Sequence, residues 1–247
     1  MTRRATRISQ EREKGGLTLV LDAGNSLVGD QDPAKNTRGQ SSITVMNMMG
    51  YDAMSLGPTD LALGLDVLRQ RVAEAEFAVL SANAIVLATG ELVATPFVLR
   101  RMGGHQVAIV GLSGGDETPE IGLLDPVEAA EAAEAELASQ ADVIILLSHA
   151  GALTDQHIAE TVPGIDLIIS GGEREFDSPW RSEKTGTLVV HADRASKGHA
   201  GRVLGIARLT FDGAGKLIQQ NWQGLKLSPE IADDPAMMTW VQQHIVP

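Results

Sequence analysis

The chain has no cysteine among its 247 residues. That excludes disulfides, thiolate zinc sites and cysteine nucleophiles, and it leaves the redox compartment open. Aromatics are nearly as scarce, with four Phe, three Trp and one Tyr, so a core has to be built from Leu, Val, Ile, Ala and Met. No run approaches the ~18 consecutive apolar residues of a membrane span, and no signal-type apolar stretch follows Met1. As written, the sequence reads as cytoplasmic, with no membrane partner. Positive charge is also in short supply. Twenty Lys and Arg against 32 Asp and Glu give a net charge of −12. This argues against a nucleic-acid partner, because phosphate-backbone binding needs a basic face. The one basic cluster, Arg3, Arg4, Arg7, Arg12 and Lys14, lies beside Glu11 and Glu13 and reads as a solvated helix face.

What is present is an α/β pattern. Hydrophobic residues make up 43% of the chain, and no shift in composition divides residues 1–247 into more than one domain. Leu17–Leu21, Phe77–Leu80, Val143–Leu147 and Ile165–Ile169 read as buried strands. Ser42–Met49, Gly64–Ala75, Asp125–Gln140 and Pro235–Ile245 read as helices. The third is the clearest: Glu128, Glu131 and Glu134 recur on one face, with Val127, Ala130 and Leu137 available for the other. Asp125 fits its N-cap and Pro126 its first position. Two hairpins are expected, over Thr95–Leu112 about Gly103-Gly104 and over Arg202–Trp222 about Asp212–Gly215. The mixture predicts two packed sheets with helices outside them.

The stretches LDAGNSLVG, NMMGYDAMSLG, LSANAIV, VAIVGL, ADVIILLSHAG, GIDLIISG and GRVLGIARLTFD together resemble the 5′-nucleotidase branch of the calcineurin-like metallophosphoesterases, over nearly all of residues 3–245. The resemblance implies a four-layer α/β/β/α sandwich. It also implies a site where oxygen and imidazole ligands at strand ends hold two cations ~3.5–4 Å apart, activating a water and clamping a phosphoryl group.

Carried over residue by residue, that site is largely replaced. The metal-bridging aspartate falls on Asn25, which offers only a neutral oxygen. The Gly-Asn-His-[Asp/Glu] motif falls on Gly57-Pro58-Thr59-Asp60, so Thr59 stands at the catalytic histidine. The Gly-His-x-His motif falls on Gly171-Gly172-Glu173-Arg174, and Arg174 puts a fixed positive charge at a ligand position. Only His149 matches a ligand in type. The family's first strand, with its Asp-x-His, has no counterpart, which leaves the Thr18–Asp22 strand with an open edge and makes a homodimer one way to cover it.

These substitutions predict a domain that has lost metal-dependent hydrolysis and serves as a binding or structural module, with no cofactor. The rival reading is an active hydrolase whose reduced site around His149, Asp22, Asn25 and Asp60 uses Mn, Zn or Mg. Under the first reading the cleft persists as a polar pocket lined by Asp22, Asn25, Thr59, Asp60, Asn83, His149, Gly172, Glu173 and Arg174, with Arg174 favouring a small anion or phosphate-bearing ligand. Each residue also has a plainer role: a strand-end hydrogen bond for His149, a turn for Asn83, helix capping for Asp60, a surface ion pair for Glu173 and Arg174. His105, His157, His191, His199 and His244 lack ligand spacing and read as solvated or structural.

Overall fold

Strict alternation of side chains along fully apolar strands builds this fold in layers. The computed structural model describes residues 1–29, 33–172, 178–192 and 201–244. In chain order its elements are α1 (Thr2–Glu13), β1 (Leu21–Asp22), α2 (Gln40–Met49), β2 (Ala53–Ser55), α3 (Pro58–Leu61), α4 (Leu65–Glu74), β3 (Ala78–Leu80), β4 (Ala84–Val86), β5 (Phe97–Met102), β6 (His105–Leu112), β7 (Ile121–Leu123), α5 (Pro126–Leu137), β8 (Val143–Ser148), α6 (Ala152–Thr161), β9 (Leu167–Ser170), β10 (Trp180–Arg181), β11 (Leu188–Val190), β12 (Val203–Phe211), β13 (Leu217–Lys226) and α7 (Pro235–His244).

One sheet has the order β1-β2-β3, all parallel. A second has the order β10-β11-β9-β8-β6-β5, with four parallel strands at its centre and an antiparallel strand at each edge. Every residue of β8 is buried, as a strand covered on both faces requires. Ile144 and Leu146 point toward α5 and α6, where they meet Ala130, Leu137 and Ile158. Val143, Ile145 and Leu147 point the other way and pack on Ala53, Leu80 and Leu167 between the sheets. A third apolar cluster lies under α2 and α4, joining Ile43, Met46 and Leu68 to Met54 and Val79. Three interlayer cores between two helical and two sheet layers make the four-layer α/β/β/α sandwich.

Local signals hold where they were clear. Asp125 caps α5, accepting from the Val127 and Glu128 N–H groups at 2.8 and 3.0 Å, with Pro126 at the first turn. Both expected hairpins form, as β5–β6 and β12–β13. The basic N-terminal segment is a helix, α1, but its cations are more than a solvated face. Arg12 donates to the Met49 and Gly50 carbonyls at the C-terminus of α2, where a cation meets the negative end of the helix dipole. Glu11 takes Arg7, Lys14 and, from β12, Arg208.

α6 was not evident from the pattern, and its key residue is polar. Asp155 is fully buried in its first turn and accepts from the hydroxyls of Ser148 and Ser170, at the ends of β8 and β9. Burial pushes its carboxyl up to about 6, against the opposing effect of those two donors. The folded chain therefore binds this proton more readily than the unfolded chain between about pH 4 and 6. Lowering the pH through that window stabilises the fold through this group. Relative to Asp155→Asn, the parent protein is expected to gain about 1 kcal/mol of unfolding free energy between about pH 7.5 and pH 5. Urea melts of both proteins at the two pH values measure it, and an unchanged difference would disprove the assignment.

Candidate functional site

Four parallel strands, β1 and β2 from one sheet and β8 and β9 from the other, end at the same rim of the sandwich. Their following loops carry residues 23–27, 56–60, 149–151 and 171–172. The centre of the arrangement is Asp60. Its carboxylate is completely buried and accepts three backbone N–H groups, from Asn25 at 2.7 Å, Leu27 at 3.0 Å and Gly57 at 2.9 Å. The Gly57 bond caps the start of α3, and the other two tie the loop after β1 to it. Burial raises the Asp60 carboxyl to about 6 even with those three donors opposing the shift.

The loop so fixed holds Asn25 at φ 62°, a left-handed conformation that Asn tolerates better than most residues. Its side chain lies so close to Gly57 that a Cβ there would come within 2.3 Å of Asn25 Oδ1. Asn25 Oδ1 accepts from the Thr59 N–H at 2.8 Å and the Thr59 hydroxyl at 2.9 Å. A backbone N–H can only donate, so the amide orientation is fixed and Nδ2 faces His149 Nε2 at 3.0 Å. His149 Nε2 must then accept, which places the ring proton on Nδ1, where it is donated to the Ala23 carbonyl at 2.6 Å. Burial lowers the His149 pKa, outweighing the Ala23 bond and the charge of Asp22, so the ring is held neutral. The electron pair with which an imidazole would bind a metal is already engaged by an amide.

The expected site residues do not all meet. Asp22, Asn25, His149 and Gly172 line one cavity of about 670 Å³, and Thr59 is joined to Asn25 on its outer side. Asp22 is occupied by the Ser26 hydroxyl and the Gly24 N–H. Asp60 lies behind the site, not in it. Asn83 is also removed from it: its amide is buried, paired with Ser113 N–H and with the Ser113 and Leu124 carbonyls, and it serves as a turn anchor. Glu173 and Arg174 lie outside the described residues, and so does His199. The Gly172 carbonyl accepts from His191 Nε2 at 2.9 Å, so His191, nearly buried, is structural. Sequence reasoning missed the Ser148–Asp155–Ser170 cluster that positions the His149 loop. Its only signal was a serine at each strand end.

No family model matches the chain. It is 28% identical to a snake venom 5′-nucleotidase of Naja atra over 96% of its own length and 49% of that protein. It is 32% identical to a probable 5′-nucleotidase of Treponema pallidum over 66% of its length and 29% of that protein. A 5′-nucleotidase precursor of Thermus thermophilus superposes with a TM-score of 0.84 at 26% identity, covering 98% of this chain and 52% of that one. A calcineurin-like phosphoesterase of Bacillus subtilis shares the fold, with a TM-score of 0.79 at 23% identity over 98% and 87% of the two chains. The chain spans about half the length of the venom enzyme. It is a 5′-nucleotidase-like domain with the calcineurin-like phosphoesterase fold.

These likenesses correct the expectation of no cofactor. Phosphoesterases of this kind are metal-dependent, so a divalent metal is the cofactor implied for the domain. The residues at the strand ends do not fit a pair of such ions. Among the described residues no three His, Asp or Glu side chains are grouped to hold a cation, and His149 and Asn25 are bonded to each other. Also among the described residues, no helix is long and apolar enough to cross a membrane.

Removing the Asp60 carboxylate leaves three buried N–H groups without an acceptor. Asp60→Ala is expected to lower the unfolding free energy by about 3–9 kcal/mol, at roughly 1–3 per orphaned group. Chemical denaturation measures this, and a loss under about 1 kcal/mol would mean the loop is held by something else.

Proposed function

We propose that this 5′-nucleotidase-like domain has lost two-metal phosphoester hydrolysis and acts as a binding or structural module built on the phosphoesterase scaffold. One observation carries the reading: the Asn25 amide donates to His149 Nε2, so the one surviving imidazole is held as a hydrogen-bond acceptor within the protein. Two-metal hydrolysis needs ligands that neutralise both cations and a group that protonates the leaving oxygen. Asn25 carries no charge, Pro58 has no donor atom, and Thr59 does not titrate near neutral pH. Loss of a general acid alone removes about 10²–10⁴-fold in rate.

Binding has better support than chemistry. The cavity at the strand ends carries Asn25, Ser26 and His149 at its polar end and is mostly apolar elsewhere, with Arg4, His105, His191 and Thr210 also in its lining. Such a pocket suits a ligand with a polar or phosphate-bearing head and an apolar body.

With Mn, Zn or Mg supplied in turn, turnover of nucleoside monophosphates and of an aryl phosphate is expected to stay at the uncatalysed level. Metal-stimulated turnover that disappears in His149→Ala would establish the rival reading, an active hydrolase with a reduced site. For binding, the probe is inorganic phosphate, followed through the ring signals of His149 by NMR. A saturable shift at millimolar phosphate is the expected result, and unmoved signals would count against a phosphate-bearing ligand.

A further inference from the structure

β13 is the longest strand among the described residues, and it is bonded to β12 alone. Val203 lies opposite Lys226, so Arg202 lies opposite Leu227, and the Leu227 N–H donates to the Arg202 carbonyl at 2.8 Å. Hydrogen-bonded and non-hydrogen-bonded pairs alternate along an antiparallel ladder. Leu225, Gln223, Asn221 and Gln219 therefore turn their backbone groups toward β12. Lys226, Gly224, Trp222 and Gln220 turn theirs to the outer edge. The one irregularity of the pair, between Thr210 and Phe211, lies beyond Gln219, so this stretch of β13 is regular.

Exposed strand edges are ordinarily blunted by shortness, charge, proline or bulges. β3, β4, β7 and β10 are two or three residues long. β5 is longer but carries Arg100 and Arg101, both exposed. β13 has none of these devices: from Leu217 to Leu225 it holds no charge and no proline. Trp222 packs toward the sheets and Gln220 accepts from Arg181 at 2.7 Å, so those side chains face inward. Gln219, Asn221 and Gln223 lie on the opposite face, all exposed. No acidic residue occurs from 213 to 229, although the chain carries a net charge of −12. Two such chains repel one another, and this edge adds no negative charge to that repulsion.

We infer that β13 is a dimer edge: it pairs antiparallel with β13 of a second copy of this chain, about a two-fold axis at Gln223. That register is the one in which all four outward residues of each copy find partners, Gly224 opposite Trp222 and Lys226 opposite Gln220. Each facing pair exchanges two backbone bonds, about eight in all, close to the ~10 of a standard protein interface. On the exposed face Gln223 meets Gln223 of the second copy. A side-chain amide is both donor and acceptor, so it complements itself, which neither a carboxylate nor an ammonium can do. An edge that complements itself is what a closed, isologous pair requires. The inference goes beyond the proposed function and does not depend on whether the strand-end site binds or hydrolyses phosphoesters.

The test uses the full 247-residue chain. Sedimentation between about 1 and 100 µM is expected to show a monomer–dimer equilibrium. Over the same range, hydrogen exchange at the Gln220, Trp222 and Gly224 amides should slow by about tenfold or more, while the Gln219, Asn221 and Gln223 amides stay slow throughout. Gln223→Lys and Gln223→Glu each set like charges against one another on the axis. Each variant alone is expected to remain a monomer, and an equimolar mixture of the two to dimerise. The mixture also controls for folding, because chains that had unfolded would not associate on mixing. A parent chain that stays monomeric at about 100 µM would overturn the proposal. So would a dimer that both variants retain, which places the contact elsewhere, or a mixture of folded variants that fails to pair. Protection of the outward amides that is independent of concentration would show the edge covered by the chain itself, and would also overturn it.

Discussion

A single buried carboxylate organises the rim where the strands end. Asp60 draws in three backbone N–H groups from two segments that are about thirty residues apart in sequence. With that loop fixed, Asn25 has one backbone conformation and one amide orientation, and through them His149 has one tautomer. The order of dependence matters: the functional side chains take their places from hydrogen bonds made behind them. The buried charge is costly to keep, as its raised pKa shows, but the alternative is three N–H groups stranded in the interior.

The same logic separates scaffold from chemistry. Asp155 stitches Ser148 and Ser170 together beneath the His149 loop, and Ser55 joins the two sheets through the Leu112 carbonyl at 2.9 Å. None of these bonds involves a position where a phosphoesterase would place a metal ligand. The strand ends can therefore keep their convergence while the residues on them change. This is how a chain can superpose on a 5′-nucleotidase structure with a TM-score of 0.84 and still present Asn25, Pro58 and Thr59 at its rim. Fold and site answer to different residues.

Much of the fold was legible in the sequence because its signals were local. The glutamate spacing of α5, the apolar run of β8 and the glycine-rich hairpin turns each encode their element within a short stretch of chain. What was missed depended on distant partners. β2 is Ala-Met-Ser, with no β-branched residue, and it is a strand because β1 and β3 flank it. α6 lacks a clean apolar face because Asp155 occupies the buried one. Arg12 looked like any exposed cation until α2 brought the Met49 and Gly50 carbonyls to it. In the site, the replaced ligand positions could be read directly, but the Asn25–His149 bond could not. It joins residues 124 apart in sequence, and its direction follows only from the Thr59 N–H on the far side of the amide. Asn83 marks the opposite case, a residue that matched a cleft position by sequence but anchors a turn.

The manner in which α1 is attached has a dynamic consequence. The helix spans from the end of α2 to β12, and Arg4 places it in the wall of the cavity. Among its twelve residues only Ile8 is buried, with Ala5 packed beside it on the core; the other ties are polar, namely the ion pairs centred on Glu11, the Arg12 and Arg4 bonds to carbonyls, and the contacts of Thr2, Arg3 and Thr6 with residues 232–234. Partly exposed ion pairs weaken as the Debye length falls from about 10 Å at 0.1 M salt toward 3 Å at 1 M. This side of the cavity is thus held mainly by polar contacts, and raising ionic strength weakens only the share of them that ion pairs carry.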